Sequence, residues 1–134
     1  MKISDRTISN ENRPLIIAEI GINHGGNLSV AKKMVNLAFL AGCEAIKHQT
    51  HFIEDEMTDK AKEIFPPNAN ISIWDVMNNC NLSQDAEIEL KNYTEELGMI
   101  YLSTPFSRKA ADFLAEIGIP AFKIGSGEAD NLPL

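Results

Sequence analysis

Cysteine is scarce in this chain: two in 134 residues, Cys43 and Cys80. Two cysteines so far apart make neither a disulfide framework nor a thiolate metal motif, and they point to a reducing, cytoplasmic location. Positive charge is also in short supply. Twelve Lys and Arg stand against 19 Asp and Glu, for a net charge of −7 and a pI of about 4.9. No Lys/Arg-rich run interrupts this acidity, which argues against nucleic acid and anionic membranes as partners. No apolar run approaches the roughly 18–20 residues of a membrane span. The opening stretch MKISDRTISNENRP, whose residues 1–13 read as a polar N-terminal extension, lacks the apolar core of a signal peptide. There is no low-complexity tract and no tight repeat.

What remains suits one globular unit with a real core: 44% of residues are hydrophobic and 23% charged. Four segments have strand character: LIIAEIG (15–21), EAIKHQT (44–50), MIYLSTPF (99–106) and AFKIGSG (121–127). Each is apolar in its first half and polar or glycine-rich in its second. Helical patterns lie between them. SVAKKMVNLAFLAG repeats apolar residues at Val30, Met34, Leu37 and Ala41 and stops at Gly42. SQDAEIELKNYTEELG opens on Ser83 as N-cap, with Asp85 and Glu87 placed to favour the helix dipole. SRKAADFLAEIG runs from Ser107 to Gly118, with Ala111, Leu114 and Ile117 or Ala115 inward, and Pro120 forbids continuation. Strands that alternate with helices across short links imply an α/β fold with four parallel strands and right-handed crossovers. The stretch 52–81 is longer than an ordinary βα loop. It predicts short helices near 58–64 and 72–79, separated by Pro66 and Pro67.

Side chains alternate across a strand. One parity collects Ile16, Ala18, Ile20, Ile46, Phe122 and Ile124, suited to packing under helices. His48 and Thr50 fall on this helix-facing side. The other parity collects Glu19, Lys47, Gln49, Thr104 and Lys123 near the C-terminal strand ends, where a TIM barrel carries its chemistry. Charges pointing inward are costly unless paired or met by a ligand. Two such lysines, one glutamate, a threonine and the GSGE turn make a candidate anion pocket, because backbone N–H groups of a Gly-Ser-Gly turn approach an anion closely. A structural Glu–Lys pair in a barrel floor is the plainer alternative.

Four motifs in order, AEIGINHGG, IKHQTH, STPFS and FKIGSGE, resemble the N-terminal half of the sialic acid synthases, whose bacterial form is N-acetylneuraminate synthase. The resemblance runs from about Pro14 to Leu134. KHQTH and the following EDEM favour the N-acetylneuraminate branch over pseudaminic or legionaminic acid synthases. It implies the N-terminal half of a TIM (β/α)8 barrel and a condensation of phosphoenolpyruvate with N-acetylmannosamine that releases phosphate. It also implies a divalent metal, manganese, that polarises the sugar aldehyde, and a homodimeric full-length enzyme. By matching motif, Lys47, Thr104, Lys123 and Ser126 resemble phosphoenolpyruvate ligands, and Glu19 and Gln49 resemble sugar ligands. Glu19 and Glu128 resemble the catalytic carboxylates, Glu128 handling the attacking water or the enol's protons.

A closed barrel needs about 250 residues. The family's second half, with its metal-binding histidines, and its C-terminal antifreeze-like domain are therefore expected to lie outside this chain, which alone should be inactive. Two other readings stay open. An inward lysine could act as a Schiff-base nucleophile, or the half-barrel could bind an anion without catalysis. His48 and His51 as a metal pair and Trp74 as more than a hydrophobic plug are the weaker readings of those residues, while His24, in the first βα loop, stands equally as a ligand contact or a loop brace.

Overall fold

A computed structural model describes residues 1–134. Its centre is a parallel sheet of three strands: β3 (Ile17–Gly21), β4 (Ala45–Thr50) and β5 (Ile100–Pro105), in that order. Helix α1 (Leu28–Leu40) connects β3 to β4, and α4 (Gln84–Glu96) leads into β5. Both lie on one face of the sheet. Between β4 and α4 the long connection carries α2 (Ile53–Glu56), a 3₁₀ turn (Asp59–Glu63) and α3 (Ile73–Cys80). Helix α5 (Arg108–Glu116) follows β5.

The helix ends follow their sequence signals. Asn27, Ser83 and Ser107 each accept a hydrogen bond from the backbone N–H three residues on. Gly42, Gly98 and Gly118 close α1, α4 and α5 at φ of +82°, +76° and +75°, a conformation that costs glycine little. The core lies between the helices and the outer face of the sheet. Its members include Ile20, Val35, Ile46, Leu90, Tyr101 and Leu114.

Three expectations need correction. The buried row of α1 is Ala31, Val35 and Ala38, while Val30 and Leu37 are 38% and 65% exposed. Both rows are apolar, so periodicity could not choose between them. The small residues at 31 and 38 let the helix lie close to the sheet. Similarly, α5 buries Ala110 and Leu114, and Ala115 is exposed. The fourth strand is reduced to one bridge, Ser103 with Phe122, and one hydrogen bond, from Lys123 N–H to the Ser103 carbonyl at 3.0 Å. Nothing pairs with its other edge, and Phe122 and Ile124 stay 44% and 57% exposed. Residues Ser126–Glu128 form a 3₁₀ turn instead. The N-terminal segment also folds. A small hairpin of β1 (Lys2–Ile3) and β2 (Arg6–Thr7) is tied to the sheet by Arg6, whose Nε lies 2.7 Å from Glu44 Oε2.

Candidate functional site

The sheet has polar side chains on both faces, and the two faces treat them differently. On the inner face, away from α1 and α4, strand register sets Glu19 beside Lys47 and Gln49 beside Thr104. Lys47 is 4% exposed, and its ammonium reaches Glu19 Oε2 at 2.5 Å. A charge this buried needs a counter-charge. The Glu19 side chain is itself 63% exposed, so the pair opens to solvent on the carboxylate side. A register shift after Glu19 puts Gly21 opposite His48. There Gly21 backs onto the Gln49 amide, which a methyl group at Gly21 would meet at 3.8 Å.

Thr104 is 1% exposed, yet its hydroxyl is the one buried side-chain polar atom with no hydrogen-bond partner. Such orphans are uncommon in folded proteins. The Gly125–Glu128 turn packs against it: a methyl group at Gly125 would lie 3.6 Å from both Thr104 Cγ2 and Glu128 Cγ. Glu128 is half-buried and accepts from Asn131 Nδ2 at 2.6 Å. Lys123 and Ser126 are exposed. The structure thus gathers Glu19, Lys47, Gln49, Thr104 and the Glu128 turn on one face, and leaves the Lys123 and Ser126 side chains at its rim without partners.

On the outer face the polar groups saturate one another. His48, Thr50, Tyr101 and Ser103 are at most 1% exposed, and Glu87 of α4 is 2% exposed. Glu87 Oε1 accepts from Thr50 Oγ1 at 2.5 Å and Tyr101 Oη at 3.0 Å, and faces His48 Nδ1 at 3.3 Å. Ser103 Oγ lies 2.7 Å from Thr50 Oγ1, and His24 Nε2 lies 3.0 Å from His48 Nε2. Burial, reinforced by the charge of Glu87, holds the Tyr101 phenol well above its ordinary value, so it serves as a donor. Burial first, and then the neighbouring His48, lower His24 to about 4. Sequence reasoning missed this hub because it accounted for Glu87 by the helix dipole alone. The available signal was that Glu87 shares the inward stripe of α4 with Leu90 and Thr94.

His51 ends β4. It stacks on Phe106 with ring centroids 4.5 Å apart, and its Nδ1 lies 2.7 Å from Glu56 Oε2. His48 is held by Glu87 behind the sheet, so the two histidines do not form a metal pair. No group of three or more His, Cys, Asp or Glu side chains comes together in a way that could hold a metal ion. The divalent metal implied by the motifs is expected to take its histidine ligands from outside this chain. Under the long β4–α4 connection lies a pocket of about 280 Å³, lined by Glu54, Asp55, Trp74, Asn78, Glu87 and Lys109 among others. Trp74 is half-buried there, with the Lys62 ammonium 4.4 Å from its ring centroid. No helix is long and apolar enough to cross a membrane.

Comparison with known proteins agrees with the motifs. The NeuB family pattern matches residues 34–134. The chain is 34% identical over 133 residues to human N-acetylneuraminate-9-phosphate synthase, covering 96% of this chain and 36% of that protein. It is 36% identical over 125 residues to N,N'-diacetyllegionaminic acid synthase of Campylobacter jejuni, covering 90% of this chain and 37% of that one. The crystal structure of a sialic acid synthetase from Leptospira borgpetersenii, in complex with citrate, superposes with a TM-score of 0.85 at 26% identity, over 99% of this chain and 43% of that one. The chain thus spans little more than a third of the length of these curated relatives. It belongs to the NeuB family, the sialic acid synthase family that its motifs resemble.

Proposed function

We propose that this chain supplies the phosphoenolpyruvate-binding part of a sialic-acid-type synthase, an enzyme that condenses phosphoenolpyruvate with N-acetylmannosamine and releases phosphate. One observation carries most of the reading. A buried lysine ammonium, paired only with a mostly exposed carboxylate, shares the sheet face of a buried hydroxyl that has no partner. A dense anion such as phosphoenolpyruvate would satisfy both at once. Lys47 would then exchange Glu19 for the anion, with Lys123, Ser126 and Thr104 completing its ligands. Glu19 and Gln49 would turn to the sugar. As the enol carbon bonds to the sugar aldehyde carbon, water adds to the resulting cation. The aldehyde's π pair goes to its oxygen, which takes up a proton to become a hydroxyl. Glu128 takes the water's proton. The hydroxyl added from water then gives up its own proton as the carbon–oxygen bond to phosphate breaks, the ketone forms and phosphate leaves with its bridging oxygen.

The three-stranded sheet and its exposed flanks fit the N-terminal half of a (β/α)8 barrel. Any manganese would be held by residues outside this chain, in a cytoplasmic homodimer of the complete enzyme, with the antifreeze-like domain also outside it. The similarity to the legionaminic acid synthase at 36% identity keeps a related hexosamine as the second reading of the substrate.

The test is phosphate release by the complete polypeptide carrying this chain, supplied with phosphoenolpyruvate, manganese and each hexosamine in turn. Release that Lys47→Met abolishes is the expected result. Turnover untouched by Lys47→Met would sink the assignment, as would a borohydride-trapped Schiff base on Lys47 or Lys123.

A further inference from the structure

The outer-face network has a direction. Glu87 Oε1 collects three contacts, from Thr50, Tyr101 and His48. An ionised carboxylate can only accept, so His48 carries its proton on Nδ1 and leaves Nε2 as an acceptor. His24 Nε2, 3.0 Å away, must then be the donor. That leaves His24 Nδ1 unprotonated, and the Gly26 backbone N–H donates to it at 3.2 Å. Each tautomer follows from the donor or acceptor before it, assigned from the network rather than observed.

The far end of this chain of contacts is the 22–26 loop, whose other backbone bonds are local turn contacts, Asn23 N–H to the Ile20 carbonyl at 3.1 Å, Gly25 N–H to Ile22 at 3.0 Å and Asn27 N–H to His24 at 3.1 Å. Residues 22–26 follow directly on Gly21, which backs onto Gln49. Gly25 and Gly26 both have positive φ, +57° and +73°. A side chain at Gly26 would come within 2.5 Å of the Asn79 carbonyl, so the loop also rests on the end of α3.

We propose that Glu87, His48 and His24 form a fixed-polarity hydrogen-bond relay that anchors the 22–26 loop, making Glu87 a positioning residue for the face on the opposite side of the sheet. The anchoring stands on geometry alone. Its consequence for ligands, through Gly21 and Gln49, rests on the function proposed above. A carboxylate behind the sheet thereby sets which way every proton in the row points. Without that acceptor, His48 is free to place its proton on Nε2. His24 must then carry its own on Nδ1, facing the Gly26 N–H donor to donor, and the loop loses its anchor.

The chain has three histidines, so two-bond ¹H–¹⁵N spectra of its imidazoles resolve the question directly. The expected wild-type pattern is His48 protonated at Nδ1 and His24 at Nε2. Glu87→Gln keeps an acceptor oxygen and should preserve that pattern. Glu87→Met removes it, and should move the His24 proton to Nδ1 and speed exchange of the Gly26 amide by about tenfold. The same tautomer on both histidines in the wild type would overturn the relay. So would His24 protonated at Nδ1, or a His24 unchanged in Glu87→Met. If Glu87→Met does not fold, the wild-type spectrum still decides. Failure to bind phosphoenolpyruvate with the tautomers as expected would count against the proposed function and leave the relay standing.

Discussion

The two faces of one small sheet hold nearly the same kinds of side chain and use them in opposite ways. Behind the sheet, Glu87, His48, Thr50, Ser103, Tyr101 and His24 each find partners within the chain. In front of it, Thr104 has a buried hydroxyl with none, Lys47 has only a carboxylate that looks into solvent, and Lys123 and Ser126 have no side-chain partner. A saturated polar network specifies and stiffens a fold. An unsaturated one has desolvated its groups without replacing their hydrogen bonds, and it recovers that cost when a ligand arrives. The contrast supports the front face as the proposed site better than charge does, because both faces contain charge.

The sharpest way to break this comparison is to damage the saturated face. Glu87→Met leaves three buried donors without their acceptor and should destabilise the fold by about 3–5 kcal/mol. Urea unfolding of the variant would measure this, and a loss under 1 kcal/mol would show that the network is not structural. Next in size, Lys47→Met should weaken phosphoenolpyruvate binding by at least about tenfold while changing stability little, since only a half-exposed ion pair is lost. Calorimetric titration beside thermal melts separates the two effects.

Acid should act on the rear face too. His24 is lowered from 6.5 to about 4, chiefly by burial and then by His48, against the opposing influence of Glu87 and the Gly21 backbone. The unfolded chain therefore takes up a proton below about pH 6.5 that folded His24 refuses until about pH 4. The stability this histidine contributes is complete above that window and declines as pH falls through it. His24→Gln should flatten that part of the stability profile. The smallest effect belongs to Thr104→Val. Removing an unpartnered hydroxyl should leave stability unchanged or raise it by up to about 1 kcal/mol, while ligand binding weakens. A clear destabilisation would mean that the hydroxyl has a partner after all.

Much of the front face could be read from alternation. In β4, Lys47 and Gln49 point one way and His48 and Thr50 the other, because a strand has a period of two whatever surrounds it. The serine caps and the glycine stops were legible for the same local reason. The helix stripes were less so: Ala31 and Val30 are neighbours of equal apolarity, and only the sheet decides which of them is covered. The fourth strand failed because a strand needs an edge to pair with, and residues 121–125 find one on a single side. Glu87 was misread because an acid in the first turn of a helix is favourable whether it faces water or a histidine.

Local chemistry therefore determined the elements, their order, the family motifs and the inward parity of Lys47, Gln49 and Thr104, since each depends on residues within a turn or a strand of one another. Tertiary structure alone decided that Glu87 meets His48 across 39 positions, that Lys47 is paired with Glu19, and that Thr104 is left with nothing. Those outcomes depend on which surfaces are brought together and closed to water, and short-range sequence patterns do not specify that.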